Sequence, residues 1–121
     1  MAFSYNHVTL VGRLVKDPEW FPEDEVSQRA TFSLAIERGY KKENGKPFVD
    51  FIPIIIWGKM ANAAHAILKK GTPALVWGRI HVKSYQGDVG RKWSMEIVAD
   101  NFQVLQSRAD ESVPALIEDS E

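Results

Sequence analysis

No cysteine occurs among the 121 residues, which excludes disulfides and thiolate metal sites and leaves the redox compartment unread. Long apolar runs are lacking as well: no stretch reaches the roughly 18 apolar residues of a membrane span. The first residues, Met1-Ala2-Phe3-Ser4-Tyr5-Asn6-His7, have neither the basic start nor the apolar stretch of a secretory signal. These absences predict a soluble, cytoplasmic protein. Histidine is scarce, and His7, His65 and His81 fall in separate segments without ligand-like spacing, so no metal or cofactor is expected. Gly58-Lys59 resembles a phosphate loop only superficially, because Pro53 stands where that motif needs its first glycine and Met60 where it needs Ser or Thr. No nucleophile elbow is present, and the carboxylates lack the paired placement of acid–base or two-metal chemistry. The expectation is a protein that is not an enzyme.

What is present is ordinary globular composition, 45% hydrophobic and 26% charged, enough for one compact domain with its own core. Periodicity places that domain at residues 1–105 and leaves residues 106–121 as a flexible acidic tail, rich in Ser and acidic residues. The formal net charge is only −1, which taken as a sum argues against a polyanion partner. Its distribution is uneven, with Lys and Arg exceeding Asp and Glu by three in the body and five acids facing Arg108 in the tail. A mildly basic body can hold a phosphate backbone where its charges cluster; an ordinary solvated surface is the alternative.

Alternation along the chain predicts five strands. Residues 7–14 form the first, with Gly12 a bulge or point of close approach. Residues 16–25, bracketed by Pro18 and Pro22, read as a loop in which Trp20 and Phe21 fold back on the core, contact with a ligand being the alternative. Residues 29–38 form the second strand, with Phe32, Leu34 and Ile36 inward, and residues 39–47 a long hairpin loop carrying lysines behind Tyr40. The third strand, residues 48–59, places Ile52, Ile54 and Ile56 on one face and Phe51, Pro53, Ile55 and Trp57 on the other. Pro53, lacking an N–H, predicts an edge or bulge. The period then changes to that of a helix over residues 60–70, with Met60, Ala61, Ala64, Ile67 and Leu68 on one face, Gly71 as its C-terminal cap, and Lys69 and Lys70 favouring its dipole. The fourth strand spans residues 72–85, with Val76, Gly78, Ile80 and Val82 opposite Trp77, Arg79, His81, Lys83 and Tyr85. A glycine-bracketed hairpin leads to the fifth strand, residues 93–100, continuing toward Leu105. This order predicts an all-β fold, a five-stranded Greek-key OB barrel with one short helix between its third and fourth strands.

Aromatic and basic residues interleave through these segments. Tyr40, Phe51, Trp57, Tyr85 and Trp93 are candidates for stacking on bases, and Arg13, Lys41, Lys42, Lys46, Lys59, Arg79, Lys83, Arg91 and Lys92 for following phosphates. Stacking tolerates any base, and single strands expose their base faces where a duplex hides them. An aromatic interface for another protein is the open alternative, and a small hydrolase or nuclease has little support.

Eight motifs carry a resemblance over about residues 5–105. Asn6-His7-Val8-Thr9-Leu10-Val11-Gly12-Arg13-Leu14, Asp17-Pro18-Glu19, Phe32-Ser33-Leu34-Ala35, Asp50-Phe51-Ile52-Pro53, Trp57-Gly58-Lys59, Leu68-Lys69-Lys70-Gly71, Gly78-Arg79-Ile80 and Glu96-Ile97-Val98-Ala99 occur in the order and spacing of bacterial-type single-stranded DNA-binding proteins, which the chain resembles. The resemblance implies an OB fold assembled as a homotetramer. It implies sequence-nonspecific single-stranded DNA binding and protection in replication, recombination and repair, in association with the nucleoid. The places of the family's stacking aromatics are occupied by Tyr40, Phe51, Trp57 and Tyr85, with Trp93 beside a fifth; Lys59 and Lys83 match basic positions. The family's usual acidic tip closing with Pro-Phe is replaced by Ile117-Glu118-Asp119-Ser120-Glu121. The expectation is therefore a short form in which recruitment of replication and repair proteins through the tail is in doubt.

Overall fold

The computed structural model describes residues 3–105; the acidic tail, with its predicted flexibility, lies outside the described residues. Strands β1 (Val8–Leu14), β2 (Glu19–Phe21), β3 (Arg29–Lys41), β4 (Pro47–Trp57), β5 (Pro73–Gly87) and β6 (Gly90–Val104) surround one helix, α1 (Lys59–Ile67). The five long strands close a ring, β1-β5-β6-β4-β3, because β1 pairs with β5 on one side and with β3 on the other. All contacts are antiparallel except β4 with β6, which run parallel from Ile54↔Ile97 to Ile56↔Ala99. This is the expected five-stranded OB arrangement, with the helix entering after the third long strand. No helix of the described residues is long and apolar enough to cross a membrane.

The inner faces supply the core. Leu14, Phe32, Leu34, Ile54, Ile56, Val76 and Ile97 are buried together, and Ala61, Ala64 and Leu68 close the ring's end. Two glycines allow the strands to approach. A Cβ on Gly12 would lie 2.7 Å from the Ala35 carbonyl oxygen, and one on Gly78 would meet the Val98 carbonyl and lie 2.8 Å from Ala99 Cα. Gly12 is thus the predicted close approach, and Gly78 sits where β5 shifts register against β6 between Trp77 and Gly78.

Several details differ from the sequence reading. Residues 16–25 are not all loop, because Glu19–Phe21 pair with Arg29–Thr31 as a sixth, short strand. The helix ends at Ile67, and its C-cap Leu68 is already extended (φ −85°, ψ 141°). Leu68 therefore reaches the core from the extended backbone, whereas Ile67 is exposed. Gly71 is consequently not the helix cap: at φ 85° it belongs to a separate turn closed by the Thr72 N–H on the Lys69 carbonyl at 2.9 Å. Lys69 and Lys70 lie past the helix end. The loop after the second predicted strand is shorter than expected, since β3 and β4 continue as an arm to Lys41 and Pro47.

Pro53 stands opposite Ser33, whose carbonyl accepts from the Val15 N–H at 3.0 Å. Since a strand residue's N–H and C=O point to one side, Ser33 faces β1, and the Pro53 nitrogen faces away from β3. The missing donor falls just before pairing with β6 begins at Ile54, so proline costs the sheet no hydrogen bond there.

Candidate nucleic-acid interface

The outer surface of the ring is read from its registers, because directly opposed residues share a face. One row runs Glu19, Thr31, Ile55, Val98, Arg79 across five strands. The next runs Phe21, Arg29, Trp57, and another runs Arg13, Ala35, Phe51. Trp57, Ile55, Val98, Arg79, His81, Lys83 and Glu96 line a groove of about 480 Å³. Its floor is Ile55, only 8% exposed although its parity points outward, because Val98 and Thr31 flank it on the same face. Asn6 holds the groove's end: its carboxamide donates to the Ile80 carbonyl at 2.8 Å and accepts from the Ile80 N–H at 2.9 Å, as a neighbouring strand would.

The five candidate stacking residues, Tyr40, Phe51, Trp57, Tyr85 and Trp93, are 47% to 65% exposed, so none is spent on this chain's core. They are not all on one face. Phe51 and Trp57 share the outer face of β4, and Tyr85 has the parity of Arg79 and Lys83 along β5. Trp93 stands opposite Ser84, and therefore shares a face with Val82 and Met95. Ile80 and Val82 have inward parity yet are exposed: Ile80 stands at the Asn6 contact, and Val82 just beyond it, where β5 and β6 continue as a two-stranded arm. Tyr40 is brought by the irregularity between Glu37 and Lys41 against Phe48, ring centroids 5.4 Å apart, on the opposite side of β4 from Phe51.

The candidate cations are distributed likewise. Lys41 ends β3 and Lys42 and Lys46 form the tip of its arm, where the Lys42 ammonium lies 5.5 Å from the Phe48 ring centroid. Arg91 donates to the Ser84 hydroxyl at 3.1 Å, and Lys92 stands opposite Tyr85. Arg13 donates to the Gly71 carbonyl at 2.9 Å. The groove's own cations are paired, Arg79 with Asp100 at 3.6 Å and Lys83 with Glu96 at 3.4 Å, and outside it Lys59 is paired with Glu25 at 3.7 Å. Such exposed pairs are weak and exchange readily, so a phosphate can displace the carboxylate. His81 also reaches Glu96, at 3.3 Å. His7 contacts Thr9, and His65 stacks on Trp20 at 4.3 Å.

Three features escape sequence reasoning. Phe21 does not plug the core as Trp20 does; it lies under the Arg29 guanidinium at 4.2 Å. Arg29 in turn lies 5.7 Å from the Trp57 ring centroid. At the root of the first arm, Arg38 donates from two nitrogens to Asp50, at 2.9 to 3.2 Å, and this bonding holds the Asp50 carboxyl below its usual range.

The chain matches the model described as the single-strand binding protein family over residues 5–105. It is 42% identical over 105 residues to a single-stranded DNA-binding protein of Streptococcus mutans serotype c, covering 86% of this chain and 64% of that protein. A second such protein, from Enterococcus faecalis, is 41% identical over 105 residues, covering 86% of this chain and 56% of that protein. Single-stranded DNA-binding protein 3 of Clostridium acetobutylicum is 44% identical over 103 residues, 84% of this chain and 71% of that protein. The chain thus spans less than two thirds of the first two relatives.

Proposed function

The chain belongs to the single-strand binding protein family, and from that premise we propose that it binds single-stranded DNA without sequence preference and without catalysis, protecting it during replication, recombination and repair. The observation that carries this reading is the outer face of β4 and β5. Trp57 stands exposed at a groove lined by Arg79 and Lys83, and Phe51 stands exposed farther along the same face of β4, so that bases find rings and phosphates find cations. Tyr85 and Lys92 extend this surface along the second arm and Lys41, opposite Pro47, along the first, whereas Tyr40 and Lys42, beside Phe48, and Lys46 at the tip serve a strand that crosses to the first arm's other side. Arg13 joins at Phe51's row and Lys59 beside Trp57, while Trp93 and Arg91 serve a strand that passes to the second arm's other side.

Self-association as a homotetramer belongs to the same reading, and the exposed Ile80, Val82 and Met95 of β5 and β6 supply apolar surface for it. The function is tested by fluorescence anisotropy with labelled oligo-dT and a duplex of equal length. Binding of the single strand at low salt, weaker for the duplex and weakening as salt rises, is expected; equal binding of both, or none, contradicts it. Sedimentation with and without oligo-dT tests the assembly.

A further inference from the structure

Arg29 is placed unlike the other arginines of the described residues. Arg13, Arg38 and Arg91 each donate to a carbonyl, carboxylate or hydroxyl oxygen, and Arg79 is paired with Asp100. Among the described residues, neither an ion pair within 4.0 Å nor a side-chain hydrogen bond engages Arg29. Its guanidinium lies 4.2 Å from the Phe21 ring centroid and 5.7 Å from that of Trp57, and the residue is half-buried. Cation–π contact consumes no N–H donor, so among the described residues the guanidinium's N–H fork is left without a side-chain hydrogen-bond acceptor. That fork matches a phosphate, which it can bind through two hydrogen bonds.

The placement is built by the registers rather than by chance rotamers. Phe21 opposes Arg29 across β2–β3, and Arg29 opposes Trp57 across β3–β4, so the three side chains share one face and one row. Phe21, held by a strand of only three residues, thereby fixes the arginine beside the candidate stacking tryptophan.

Resting on the single-strand-binding reading above, we infer that Arg29 is a phosphate-binding residue of the nucleic-acid path, held in position by Phe21, and that a strand stacked on Trp57 continues over β3 toward β2. Glu19, the neighbouring carboxylate on that face, bounds this path on one side.

The test is an oligo-dT titration of the whole chain across a salt series. Arg29→Met is expected to weaken low-salt binding by roughly tenfold and to reduce the slope of log K against log salt by about 0.7, the value for one single-strand phosphate. Trp57-dependent fluorescence quenching at saturation should persist, whereas a role confined to holding Trp57 would change the quenching and spare the slope. Phe21→Leu keeps the charge, so it should lower affinity without changing the slope. Phenylglyoxal modification of the unmutated protein gives a readout that requires no variant: saturating oligo-dT should slow modification at Arg29. Wild-type binding with an unchanged Arg29→Met slope and unprotected Arg29 overturns this assignment alone. Failure of the wild type to bind oligo-dT at low salt overturns the underlying reading, and this assignment with it.

Discussion

Glu96 places its Oε2 3.4 Å from the Lys83 ammonium, so the groove holds a carboxylate against one of the cations proposed to meet phosphate. Binding then requires exchange of one anion for another, and the protein's carboxylate competes. Glu96→Gln should raise oligo-dT affinity at low salt by about two- to fivefold, the scale of an exposed ion pair. Titration in parallel with the wild type checks this, and a weaker variant would contradict it. The carboxylate also contacts His81 at 3.3 Å.

Trp57→Ala and Phe51→Ala should each weaken binding by about 1–3 kcal/mol, the range for loss of one base–aromatic stack. Both side chains are exposed, so urea unfolding midpoints should stay close to that of the wild type. If Trp57 and Phe51 instead dock another protein, these variants would retain full oligo-dT affinity.

Gly78→Ala should destabilise the fold by at least about 2 kcal/mol, the cost of forcing atoms into a closely packed site. Its Cβ would meet the Val98 carbonyl and the Ala99 backbone, neither of which is a flexible side-chain end. Gly45→Ala, with nothing within 4 Å but φ 85°, should cost only about 1–2 kcal/mol through its left-handed backbone. Urea unfolding of the two variants reads the difference.

The Arg38–Asp50 contact gives a pH dependence. Hydrogen bonding from Arg38 lowers the folded pKa of Asp50 from its ordinary 3.8. Its stabilising contribution is therefore complete above that value and is lost as pH falls through the lower, folded one. Asp50→Asn should be less stable than the wild type at pH 7, with the gap closing toward pH 2. Urea unfolding at the two pH values checks the sign; a gap that widens in acid would contradict it.

The long strands were legible because one face of each meets the core, so Phe32, Leu34, Ile54, Ile56 and Val76 recur at period two. Alternation reports a face but not whether anything covers it, which is why Ile80 and Val82 read like core residues yet stand exposed. Strand β2 has three residues, too few to show a period. Leu68 has helical spacing from Ala64 but reaches the core from extended backbone. Trp57 and Phe51 were legible as an aromatic face, while the separation of Tyr85 from Trp93 depends on the register Ser84↔Trp93. The Phe21–Arg29–Trp57 row was illegible for the same reason, since it joins residues whose nearness is set by two strand pairings and by no local motif.

The central claim is that a single strand stacks on the outer face at Trp57. Tryptophan emission titrated with oligo-dT, for the wild type and Trp57→Phe side by side, measures this most directly. The account predicts quenching at low salt that is clearly smaller in Trp57→Phe and an apparent affinity that declines as salt rises. No quenching of the wild type at low salt, or the same quenching in both proteins, would contradict it.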